Sequence, residues 1–123
     1  MADFVVTCVR HELAAERLFR LAGRSPVPRA VVMRRFFTFA DFLYQNGLTT
    51  RAVAPSPADV HEYSELCRSD LTVEGWAFVR AVNDRWVNLM GRDVGDVRER
   101  GRLSGWLWAY RRWVGGRAMN RAA

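Results

Sequence analysis

Apolar residues recur along this chain mostly at helical spacing, and each run is bounded by residues that start or stop helices. From Cys8 onward, His11, Ala14, Ala15, Leu18, Phe19 and Ala22 share one helical face, and Gly23 offers a left-handed stop. The pattern predicts a helix ending near Ala22. Its start is open, because Phe4 to Val9 is rich in the β-branched residues that strands favour. Pro26 and Pro28 then make a rigid turn, and Val32, Met33, Phe36, Phe37, Phe39, Ala40, Leu43 and Tyr44 form the apolar arc of a central second helix. Asn46-Gly47 terminates it, with Leu48 placed to fold back onto its last turn.

Ser56-Pro57-Ala58-Asp59 combines a capping hydroxyl, a proline suited to the first helical position and a first-turn carboxylate, which predicts a third helix from Pro57 to about Arg68. Thr72 then caps a fourth helix, Glu74 complements its dipole and Leu71 is placed to pack on Trp76. That helix carries Trp76, Val79, Val82, Trp86, Val87, Leu89 and Met90 on one arc, with Asn83 among them as a core hydrogen-bonding amide, and stops at Gly91. Asp93 or Asp96 caps a fifth helix, which runs to about Val114 before Gly115-Gly116 ends it. Its core stripe is Leu103, Trp106, Leu107, Tyr110, Trp113 and Val114. The expected fold is one all-α domain over residues 1–123, a compact bundle of about five helices. Phe36, Phe39, Leu43, Trp76, Trp86, Leu103, Trp106 and Leu107 are its expected core.

Composition agrees with a single soluble domain: 123 residues, 50% hydrophobic and 26% charged. Two cysteines make no disulfide scaffold, no leader-like segment opens the chain and no apolar run is long enough to span a membrane. A reducing cytoplasm is the expected compartment. The basic residues are all arginine, which fits GC-rich coding, and their distribution narrows the function. Residues 1–51 carry eight arginines against four acids, residues 52–75 one against five, and residues 92–123 eight against three. Basic ends flank an acidic middle, and a localised basic excess implies an acidic partner.

Trp108 is the most informative residue. It lies off the core stripe of the fifth helix, among Gly101, Gly105, Arg98, Arg102, Arg111 and Arg112. A neighbouring helix could cover this face, because glycines four apart allow close backbone approach; the same feature could support a homodimer. Alternatively the Trp and Arg residues form a partner-binding patch, since these types dominate interface hot spots. Arginines around an exposed indole also suit nucleic acid, through phosphate contacts and base stacking.

Other constellations are weaker. Cys8, His11, His61 and Cys67 match a zinc inventory, but His61-x5-Cys67 is not a usual ligand pair, so no metal is expected. The layout from Arg68 to Val73 imitates a helix-turn-helix, yet its would-be recognition turn brings Asp70 and Glu74, which repel phosphate. No phosphate loop, nucleophile elbow or distinctive acid pair occurs. The sequence therefore reads as a non-enzymatic protein without a cofactor that binds a macromolecule, in the manner of a small bacterial inhibitor, immunity-type or adaptor protein. A protein partner is favoured over nucleic acid.

Overall fold

The computed structural model describes residues 3–14, 29–88 and 95–122, with the side chains at 84, 87, 88 and 116–122 outside the description. Strand β1 (Val5–Cys8) leads directly into a helical segment at residues 9–14. Helix α1 spans Arg29–Gln45, strand β2 Glu65–Cys67, helix α2 Val73–Asn88 and helix α3 Asp96–Ala122. Two short turns of 3-10 helix, Pro57–Asp59 and Arg68–Asp70, lie between α1 and α2. The expected stops at Gly23 and Gly91, the Pro26–Pro28 turn and the Asp93 cap lie outside the described residues.

The expectation of an all-α five-helix bundle is corrected by this architecture. Four helical segments are described, and β1 and β2 pair antiparallel in a two-stranded sheet. Its register sets Val5 opposite Cys67, Thr7 opposite Leu66 and Cys8 opposite Glu65, with an irregularity between Val5 and Thr7. The β-branched Val5-Val6-Thr7 run thus makes a strand, and the helical pattern takes over from Val9.

The predicted third helix fails for a local reason. Its start signal yields only the 3-10 turn, in which the Ser56 hydroxyl bonds to Asp59 Oδ2 at 2.8 Å instead of capping the backbone. Beyond it, side chains capture main-chain amides that a helix would need: His61 N–H donates to Ser64 Oγ at 2.9 Å and Tyr63 N–H to His61 Nδ1 at 3.1 Å. The residues this segment buries, Val60 and Leu66, are six apart and would not share a helical face. With β2 in its place, the helix-turn-helix layout does not form.

Other end signals act as expected. Gly47 has φ +70°, Leu48 N–H donates to Leu43 O at 2.8 Å and Gly47 N–H to Tyr44 O at 3.1 Å, the two bonds of a Schellman stop. Leu48 is thereby fully buried. Thr72 Oγ1 accepts the Gly75 N–H at 3.0 Å, capping α2. The first turn of α2 then approaches the α1 stop so closely that a Cβ on Gly75 would lie 1.9 Å from Leu48 O. Only glycine fits there.

The core gathers around α1. Phe36, Phe39, Leu43, Trp86, Leu103 and Leu107 are buried as expected, with Phe39 and Trp86 stacked at 4.5 Å between ring centroids. Trp76 and Trp106 are only partly buried, because each borders an open groove. The C-terminal helix also departs from expectation, since α3 continues through Gly115 and Gly116 to Ala122. A glycine stops a helix by adopting positive φ, and among the described glycines only Gly47 and Gly95 do so. At 27 residues α3 is about 40 Å long, against about 25 Å for α1 and α2. From Arg111 to Gly115 every side chain is exposed, which moves Trp113 and Val114 out of the expected core stripe.

Candidate functional site

The orientation of α3 is fixed by a polar cluster at its first two turns. Glu99, four, seven and eight residues before Leu103, Trp106 and Leu107, occupies the core stripe and is 2% exposed. Arg35 of α1 reaches it at 2.9 Å and is itself 3% exposed. The same carboxylate oxygen accepts the Trp86 indole N–H at 3.2 Å, and the Arg35 guanidinium lies 5.6 Å from the Trp86 ring centroid. One ion pair therefore joins all three long helices.

A second, more exposed layer continues it. Thr38 Oγ1 donates to Asp96 Oδ1 at 2.5 Å, and Arg100 bridges Asp96 at 3.0 Å and Asp41 at 2.8 Å. The Thr38 hydroxyl, and secondarily the Arg100 guanidinium, hold the Asp96 carboxyl below its usual pKa against the opposing effect of partial burial. Asp96 consequently opens α3 as an ion-pair residue and not as the expected cap.

With Glu99 inward, the opposite face of α3 must point to solvent. Val97 is 84% and Trp108 62% exposed; Gly101, Gly105, Arg98 and Arg102 share that exposure. The Arg112 guanidinium sits 5.1 Å from the centre of the Trp108 ring, a cation–π contact that presents both groups together. Arg98 and Arg102 have no carboxylate partner among the described residues. A Cβ built on Gly101 or Gly105 would meet nothing within 4 Å, so among the described residues no backbone uses the close approach these glycines allow.

Arg111 is placed differently. It bonds Glu74 Oε1 at 2.8 Å and Asn46 O at 3.2 Å, tying α3 to the start of α2 and the end of α1. Beyond Arg111, Val73, Ala77, Tyr110 and Val114 line a shallow groove of about 600 Å³. Arg98, Arg102, Arg112, Trp108 and the two glycines are thus brought onto one face, and Arg111 borders it. No family model, curated protein or solved structure matches the chain.

The zinc inventory is dispersed: Cys8 is buried, His11 is exposed and His61 accepts a main-chain N–H through Nδ1. Among the described residues no group of three or more His, Cys, Asp or Glu side chains is placed to hold a metal ion, and no helix is long and apolar enough to cross a membrane. Asn83, expected in the core, is half-buried at the edge of a groove between β1 and α2.

Proposed function

We propose that this chain is a non-enzymatic binding protein whose α3 holds an acidic protein partner, in an inhibitor or adaptor role. The observation that carries the reading is Trp108, a large aromatic left 62% exposed on a rigid helix beneath the Arg112 guanidinium. Aromatic and arginine anchors on a fixed scaffold lose little conformational freedom on binding, which is why they dominate hot spots.

Protein is favoured over nucleic acid by what surrounds the indole. Arg111 is engaged within the chain, so among the described side chains the cations left on the Trp108 face are Arg98, Arg102 and Arg112, few for extended phosphate contact. Beside them lies apolar surface that a polyphosphate would not use: Val97, Trp113 at 57% exposure, and the groove bordered by Val73 and Val114. Residues 103–123 contain four arginines and no acid, which steers an acidic partner and repels a second copy docking on the same face. The free thiols of Cys8 and Cys67 suit a reducing compartment such as the cytoplasm.

The experiment is capture from source-cell lysate after nuclease treatment, with wild type and Trp108→Ala as paired baits. One acidic protein retained by the wild type and lost by the variant supports the reading. Loss of all capture on nuclease treatment, or equal capture by both baits, refutes it.

A further inference from the structure

We propose that the groove between β1 and α2, which no residue of α3 lines, binds an extended peptide that carries a carboxylate beside an apolar side chain. The groove has a volume of about 490 Å³ and is lined by Phe4 and Val6 of the N-terminal segment and by Trp76, Val79, Arg80 and Asn83 of α2. Phe4, just before β1, and Val6, at the irregularity within it, both line the slot, and the four α2 residues recur at helical spacing on its other side. Phe4 stands 62% exposed at one end, edge-on to Trp76 with ring centroids 5.8 Å apart.

Two cations converge on that tryptophan. The Arg68 guanidinium is 4.9 Å and the Arg80 guanidinium 5.6 Å from the Trp76 ring centroid. Neither arginine has a carboxylate partner among the described residues. The acids nearest Arg68 in the chain are already engaged, Asp70 by Arg51 and the Cys67 amide and Glu65 by Arg10, and Asp3 is held by the hydroxyl and amide of Ser69. Arginines held over an indole are pre-organised donors for a carboxylate, and Asn83, whose side chain makes no hydrogen bond with a described residue, adds an amide able to donate and accept within the groove.

Charge selects the occupant. Arg68 belongs to the 52–75 segment, in which five acids face that single arginine. A polyphosphate would be repelled by that surround, whereas one carboxylate is matched by Arg80 in the groove, with Arg68 held at the same indole. Among the described residues β1 pairs with β2 alone.

The test is fluorescence anisotropy on the full chain with acetyl-Val-Asp-Phe-Val amide bearing an uncharged C-terminal dye, whose single carboxylate is the Asp side chain, and with its Asn-for-Asp counterpart, which has none. The acidic peptide is expected to bind saturably below about 1 mM, and Arg80→Gln, on an exposed side chain whose loss leaves the core intact, is expected to weaken it at least about tenfold. The Asn peptide should lose a similar factor with the wild type, and Trp108→Ala should leave binding of the acidic peptide unchanged, which separates this site from the α3 face. Equal binding of both peptides, insensitivity to Arg80→Gln, dependence on Trp108, or equal competition by the uncharged N-acetylphenylalanine amide would each overturn the proposal.

Discussion

Arg35 and Glu99 meet at 2.9 Å with side chains only 4% and 2% exposed, and this pair determines which side of α3 faces solvent. A buried charge without its partner is far more costly than the pair itself is stabilising. Glu99→Leu alone should therefore destabilise the fold by about 3–5 kcal/mol in urea titration, and Arg35→Met by a similar amount. The double variant should recover most of that loss, because neither charge is left unpaired. Additive losses would show that the two side chains do not interact in solution.

Gly75 gives a sharper steric prediction. A methyl group there would sit 1.9 Å from Leu48 O, a main-chain atom already accepting the Thr72 N–H at 3.0 Å, so α2 would have to move. Gly75→Ala should cost at least about 1–3 kcal/mol although alanine favours helices. Gly101→Ala, with nothing within 4 Å, should instead stabilise by roughly 0.5–1 kcal/mol. Thermal midpoints moving in the same direction for both would contradict the packing of α2 on the α1 stop.

Acid stability should report Asp96. Its folded-state pKa is depressed, chiefly by the Thr38 hydroxyl and then by Arg100, so its contribution is present above the unfolded value of about 3.9 and disappears as pH falls through the lower folded value. The stability gap between wild type and Asp96→Asn should be open at pH 7 and close in the acid range below about pH 4. A gap independent of pH would mean that the carboxylate is not held by these partners. Partial exposure of Asp96 keeps the effect modest.

These relationships were unevenly legible in the chain. End signals that act within a few residues, Gly47-Leu48 and the Thr72 cap, formed as read because their hydrogen bonds are local. The Ser56-Pro57 signal was equally local but started a helix that the next residues could not continue, since His61 and Ser64 bind main-chain groups of their own turn. The strand pairing of residues 5–8 with 65–67 depends on contacts far apart in sequence, which periodicity does not register. Glu99 could have been found from its place at the head of the Leu103, Trp106, Leu107 stripe. Its partner could not, because Arg35 borders the apolar arc of α1 as an ordinary flanking charge would. That Trp108 lies off the core stripe was legible from the wheel, but not whether a neighbouring helix covers it, and the exposure of Trp113 depends on α3 being longer than the helices it packs against.

The direct measurement is calorimetric titration of the captured acidic protein with wild type, Trp108→Ala and Arg112→Gln, alongside thermal melts of each. Trp108→Ala should weaken binding by about 2 kcal/mol or more, roughly thirtyfold, with the melting temperature nearly unchanged and a moderate salt dependence. Arg112→Gln should weaken it less, by loss of steering and of the cation over the indole. Unchanged affinity for Trp108→Ala, or a variant that no longer folds, would contradict the assignment of α3 as the binding face.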